Sequence, residues 1–135
     1  MSLARIVLVD PDIALARTLT RIIKDAGYEV TGLSRAGELR GALAERPADL
    51  LLIDLQALGS DAAPEVAGAL EGQVPPPGVL LLSSLPPDAT DYKALKATPG
   101  DFIAKPFRVH ELLARVRSEL RDRTRPLDVV EPTHL

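Results

Sequence analysis

The sequence predicts a three-layer α/β domain on a five-stranded, mostly parallel, doubly wound sheet. Short aliphatic runs of strand length recur along the chain, amphipathic or helix-compatible segments separate them, and the runs end on polar residues. Continuous apolar runs mark strands buried on both faces, as parallel strands are when crossover helices cover the sheet. Right-handed crossovers then place helices on both sides.

Each element follows from its local pattern. Ile6-Val7-Leu8-Val9 is the first strand and ends at Asp10. Ile13, Ala16, Leu19, Ile22 or Ile23 and Ala26 recur at helical spacing, with Asp12 in the first turn and Gly27 as terminator, which predicts the first helix. Tyr28 to Leu33 reads as the second strand, and Arg35 to Glu45 as a second helix stopped by Pro47. Leu50-Leu51-Leu52-Ile53 closes on Asp54, and Val79-Leu80-Leu81-Leu82 closes on Ser83. Phe102-Ile103-Ala104 is shorter and closes on Lys105. A weak third helix is expected over about 64–71, where Gly68 and Gly72 lower helix propensity, and a fourth over about 88–97. Pro75-Pro76-Pro77 and Pro86-Pro87 punctuate the connections. Val109 to about Arg123 carries Leu112, Leu113, Val116 and Leu120 on one face and is the fifth, last helix. The expected domain is residues 1–124, followed by a tail or linker stub over 125–135.

Composition narrows the functional classes. A chain of 135 residues with 46% hydrophobic and 26% charged residues has material for one core. The absence of cysteine excludes disulfides, thiolate metal sites and a cysteine nucleophile, and fits a reducing compartment, so a cytoplasmic location is expected. No apolar run approaches the roughly 20 residues that span a bilayer, so no membrane association is expected. With two Tyr, two Phe and no Trp, base stacking on aromatic platforms is disfavoured. His110 and His134 have no second ligand at metal spacing and read as solvated.

Parallel sheets bind ligands at the carboxyl ends of their strands. There the sequence gathers Asp10, Asp54, Ser83 and Lys105. Two carboxylates about 4 Å apart repel by roughly 4 kcal/mol at an effective dielectric near 20, so a hard divalent cation is an obvious bridge. Mg²⁺ is commonly held by one or two carboxylates, waters and phosphate oxygens. Lys105 and Ser83 are suited to hold phosphoryl oxygens, and a carboxylate can itself be the nucleophile that forms an acyl phosphate. Taken singly, an acid after a strand also reads as a helix cap, a role open to Asp10.

Arg5-Ile-Val-Leu-Val-Asp10, Asp49-Leu-Leu-Leu-Ile-Asp54-Leu, Val79-Leu-Leu-Leu-Ser83-Ser84 and Asp101-Phe-Ile-Ala-Lys105-Pro106-Phe107 together resemble the signature segments of response-regulator receiver domains, over about residues 3–122. The resemblance implies the flavodoxin-like strand order 2-1-3-4-5. It implies that Asp54 is the phosphoacceptor, with Lys105 and Ser83 beside it, and that Ser83 and Phe102 are the switch pair. It implies Mg²⁺ held by Asp10, Asp54 and the Gln56 backbone carbonyl, with Asp12 as a further candidate, and a cis Lys105-Pro106 bond. The implied partners are a histidine kinase and a downstream effector domain or protein. The segment Glu111 to Arg121 resembles the last helix of receivers joined to winged-helix domains. Those pair as homodimers through the fourth helix, fifth strand and fifth helix, which would bring Asp101 and Arg115 or Arg121 to that face. Direct nucleic-acid binding is not expected, because the six arginines over 108–125 share a mixed-charge helix with Glu111, Glu119 and Asp122.

The chain departs from the family pattern at Pro11, where a second acid usually supplies a metal ligand. Weakened Mg²⁺ binding is therefore expected. Leu58 replaces a proline in the loop after Asp54, and Thr98-Pro99-Gly100 precedes the fifth strand. These features leave a second reading, a degenerate pseudo-receiver that works as a phosphorylation-independent interaction module. A flavodoxin-like cofactor binder is disfavoured, since Asp10-Pro11-Asp12 puts negative charge where a phosphate cradle would lie.

Overall fold

A computed structural model describes residues 3–54, 58–59, 62–83 and 102–124, with side chains as far as residue 121. The five strands are β1 (Arg5–Val9), β2 (Glu29–Leu33), β3 (Leu50–Ile53), β4 (Gly78–Ser83) and β5 (Phe102–Ala104). They form one sheet in the order β2-β1-β3-β4-β5, and each pairing is parallel. The described helices are α1 (Ile13–Asp25), α2 (Leu39–Glu45), α3 (Ala62–Leu70) and α4 (Val109–Thr124). α4 is the fifth helix of the sequence reading; the one expected over about 88–97 lies outside the described residues.

The aliphatic runs explain the layering. All of Ile6 to Val9 and Leu50 to Ile53 are fully buried, because alternate side chains enter opposite cores. Ile6, Leu8, Leu50, Leu52, Leu80, Leu82 and Ile103 pack with Leu19 and Ile23 of α1 and with Leu112, Val116 and Leu120 of α4. Val7, Val9, Leu51, Ile53, Leu81 and Phe102 pack with Leu39 and Leu43 of α2 and with Ala62, Ala63, Val66 and Ala69 of α3. Burying one such Leu or Ile contributes about 1.5–3 kcal/mol, so the central strands carry much of the stability.

Local signals set the helix ends. The Asp12 carboxylate caps α1, accepting the Leu15 N–H at 3.1 Å, and Gly27 follows its last turn at φ 103°. α2 is preceded by a 3₁₀ turn, Ala36–Glu38. α3 begins at Ala62, before the expected start at Pro64; proline is tolerated in a first turn because its missing N–H would have no intrahelical acceptor there. Lys105-Pro106 is cis, in agreement with the family pattern, and Val74-Pro75 is cis as well.

Arg5 is buried at the amino end of β1. Its guanidinium donates to the Ala42 carbonyl at 3.4 Å, to Thr31 Oγ1 at 3.3 Å and to the Arg46 carbonyl, and its backbone N–H donates to Asp49 Oδ2 at 2.7 Å. One side chain thereby ties β1 to β2 and to the end of α2, sharing the Ala42 carbonyl with the Arg46 N–H.

Glu38 closes the β2 to α2 connection. Its Oε1 accepts the N–H groups of Ser34 and Arg35, each at 3.1 Å. These bonds, Ser34 first, hold the carboxyl below its ordinary range. A lowered folded-state pKa gives stability that is present above the unfolded value and lost as pH falls through the folded one. Glu38→Gln is therefore expected to lower the melting temperature at pH 7, and the gap to the native chain to close in acid. A gap of constant size across a pH series of thermal melts would refute this assignment.

Candidate functional site

The register places the chemistry. Val9 of β1 lies opposite Ile53 of β3, and Ile53 opposite Leu81 of β4. The first residues beyond β1 and β3 are therefore neighbours, and the Asp54 N–H donates to the Val9 carbonyl at 3.1 Å. On the other flank, Ser83 ends β4 and its carbonyl accepts the Lys105 N–H at 2.9 Å. Asp10, Asp54 and Ser83 are 1%, 2% and 2% exposed, so these polar groups sit inside the domain rather than on helix caps in solvent.

The two acids have different surroundings. Lys105 Nζ makes an ion pair with Asp54 Oδ2. Asp10 Oδ1 accepts the Asp12 N–H at 2.9 Å, whereas Asp10 Oδ2 is buried with no hydrogen-bond partner among the described residues. Burial pushes the Asp10 carboxyl above its ordinary value, opposed by the Asp12 N–H; the nearby Asp54 charge pushes it further, and Lys105 draws it back. Asp10 is thus not the α1 cap. That role belongs to Asp12, whose carboxylate points to the helix rather than contributing a third acid.

The donor set can be tested against a divalent cation. A buried carboxylate oxygen without a partner, beside a second buried carboxylate, is the chemistry that a hard cation satisfies. Asp10 and Asp54 fit Mg²⁺ as two carboxylate ligands, a number such sites commonly use alongside waters and phosphate oxygens. No group of three or more His, Cys, Asp or Glu side chains suited to a metal occurs among the described residues. Gln56, whose carbonyl the sequence reading assigns as a ligand, lies outside the described residues.

Phe102 is 8% exposed and lies opposite Leu81 within the α2/α3 core, two residues before the last residue of β5. His110 is exposed, as expected. Two clefts lie near the strand ends, one at Lys105 and one at Pro11. Leu15, Lys105, Pro106 and Phe107 line an open cleft of about 500 Å³, and Pro11 lines another of about 520 Å³ with Arg35, Leu58 and Glu65. Neither cleft could be read from the sequence, because each is lined by residues from separated segments.

A family model described as the response regulator receiver domain matches residues 6–117. The chain belongs to this family. The receiver is 33% identical over 128 residues to the transcriptional regulatory protein KdpE of Mycobacterium tuberculosis, covering 94% of this chain and 55% of that protein. It is 28% identical over 121 residues to the regulatory protein VirG of Agrobacterium tumefaciens, covering 90% of this chain and 45% of that one. The chain spans about half the length of the curated relatives it matches.

Among solved structures, the receiver is similar to a CheY-like response regulator receiver domain from Methanospirillum hungatei, with TM-score 0.75, 23% identity, and coverage of 92% of this chain and 98% of that one. The signal receiver domain of a putative Luxo repressor protein from Vibrio parahaemolyticus gives TM-score 0.76 at 20% identity, covering 97% and 98%. At these identities the likeness concerns the fold, including the order 2-1-3-4-5. No described helix of the receiver is long and apolar enough to cross a membrane. The receiver is thus a signalling domain of two-component systems, and receiver domains generally bind Mg²⁺ at the acidic site.

Proposed function

We propose that Asp54 is the phosphoacceptor of this receiver and takes a phosphoryl group from the phosphohistidine of a histidine kinase. The observation that supports this best is the pair of buried strand-end carboxylates, one held by Lys105 and the other keeping an unpartnered oxygen. An Asp54 carboxylate oxygen attacks phosphorus, the bond from phosphorus to the histidine nitrogen breaks, and an acyl phosphate remains on Asp54. Lys105 then passes from the carboxylate to a phosphoryl oxygen, and the Ser83 hydroxyl donates to another. Mg²⁺ would be held by Asp10 and Asp54, with the Gln56 carbonyl as the resemblance implies, and would supply the positive charge that lets a phosphoryl group approach two acids. Asp12 serves α1 as its cap and stands outside this set.

Phosphorylation draws Ser83 toward the phosphate and repacks Phe102, shifting a two-state equilibrium at the surface formed by the fourth helix of the sequence reading, β5 and α4. That face serves an effector domain or protein, or a second copy of the chain. Ile13, 62% exposed, and the cleft of Leu15, Pro106 and Phe107 offer an apolar landing beside Asp54 for the kinase. The domain is 1–124, with 125–135 a linker or tail. It acts in the cytoplasm as an acceptor that catalyses its own phosphorylation rather than as a turnover enzyme, and binds no nucleic acid itself.

A second reading is favoured by Pro11 together with the cap role of Asp12, which leave the pocket one carboxylate short. On that reading the fold and its protein-binding face persist without metal or phosphate. Incubation with acetyl phosphate, with and without Mg²⁺, followed by intact mass measurement separates the two. The expected result is a Mg²⁺-dependent gain of one phosphoryl group that is lost in Asp54→Asn. A folded chain without adduct at millimolar Mg²⁺ would leave only the second reading.

A further inference from the structure

β5 is an edge strand of three residues, and the alternation of parallel pairing decides which way its backbone faces. The Lys105 N–H donates to the Ser83 carbonyl at 2.9 Å, so the backbone groups of Ile103 and Lys105 face β4. Those of Phe102 face away from β4, to the side on which β5 pairs with no strand among the described residues. There the Phe102 carbonyl accepts Arg115 Nη1 of α4 at 2.8 Å. An outward carbonyl on an edge strand is ordinarily left to water or to another chain. Here a charged donor from a helix eleven positions into the sequence beyond Ala104 occupies it, in a geometry that a planar guanidinium suits.

We propose that Arg115 is a positioning residue for Phe102: its bond to the outward carbonyl fixes the backbone of β5 relative to α4 and so sets where the Phe102 ring lies. The neighbours support this role. Leu112 and Val116 are fully buried, which pins the helix on either side of Arg115 against the sheet. The charge-assisted bond from Arg115 adds to the ladder that pairs β5 with β4. The signalling meaning of Phe102 rests on the reading proposed above, whereas the positioning by Arg115 holds in the resting chain.

Phe102 and Phe107 are the only phenylalanines, so the chain labelled with 4-fluorophenylalanine gives two fluorine signals, assigned with Phe107→Leu. Arg115→Ala is expected to displace the Phe102 signal by more than its linewidth in the resting protein. It is also expected to speed hydrogen exchange at the Lys105 amide about tenfold, the effect of losing one bond to a charged donor. Arg117→Ala, which removes the same charge from the exposed side of α4, is expected to leave both readouts at native values. Arg115→Lys, which keeps a charged donor, is expected to recover part of the native signal position; it also carries the comparison if the alanine variant does not fold. Native values in the Arg115 variants, or equal changes in Arg117→Ala, would overturn the assignment. Beryllofluoride with Mg²⁺ forms a separate arm: a native chain whose Phe102 signal it leaves in place counts against the phosphoacceptor reading, independently of the resting spectra.

Discussion

Pro11→Asp is expected to tighten Mg²⁺ binding by about tenfold or more. A carboxylate about 4 Å from a bound cation contributes roughly 4 kcal/mol per unit charge at an effective dielectric near 20, and part of this is offset by desolvation and by repulsion from the acids already present. The backbone places no obstacle in the way, because Pro11 lies in an exposed bend between β1 and α1 and aspartate can adopt the φ of proline. Asp12 already caps α1 through the Leu15 N–H, so the new acid does not compete with the helix for its side chain. Calorimetric Mg²⁺ titration of the two chains measures the difference. Equal affinities would mean that position 11 faces away from the ion, and that Pro11 is not the cause of any weakness in the site.

Lys105→Met is expected to destabilise the fold by about 2–3 kcal/mol at pH 7. Removing one partner of a fully buried ion pair costs about 3–5 kcal/mol, and the figure is reduced here because the Lys105 side chain is 27% exposed whereas Asp54 is 2% exposed. The loss arises from charge left behind, so Asp54→Asn in the same chain is expected to restore most of it. Asp10→Asn, by contrast, is expected to stabilise the native chain at pH 7. The folded state holds the Asp10 proton more tightly than the unfolded state, so stability falls as pH rises from the ordinary value of 3.8 through the raised folded one and then levels off. The gain from Asp10→Asn should accordingly fade in acid. Urea titrations in the presence of chelator at several pH values test both variants. A Lys105→Met deficit that persists in the Asp54→Asn background would point to lost packing of the lysine stem instead.

The legibility of this molecule from its sequence divides along a physical line. The strands were readable because Leu50 to Ile53 and Ile6 to Val9 are apolar at every position, which only burial on both faces explains. The candidate site was readable because the residues ending those runs share one edge of the sheet whatever the details of packing. Side-chain choices were less accessible. Asp10 and Asp12 are both acids before the same helix, and which one caps it depends on whether β1 has already carried the first inside. The start of α3 before Pro64 reflects a tolerance of first turns that no periodicity signals. Arg5 and Arg115 were the least legible: each bonds to carbonyls of other elements, and a backbone acceptor carries no residue identity to be recognised.

The Arg5 cross-link has a mechanical consequence. It joins β1, β2 and the end of α2 at the end of the sheet remote from Asp54. That half of the domain is expected to serve as a stator, since the β1 side is braced at its far end. β5, three residues long and tied to α4 through Arg115, lies on the other side of β4. On the proposed reading, a change at the acidic pocket is expected to reach β5 and α4 more than α2, so a probe on α2 should stay silent while one on β5 reports.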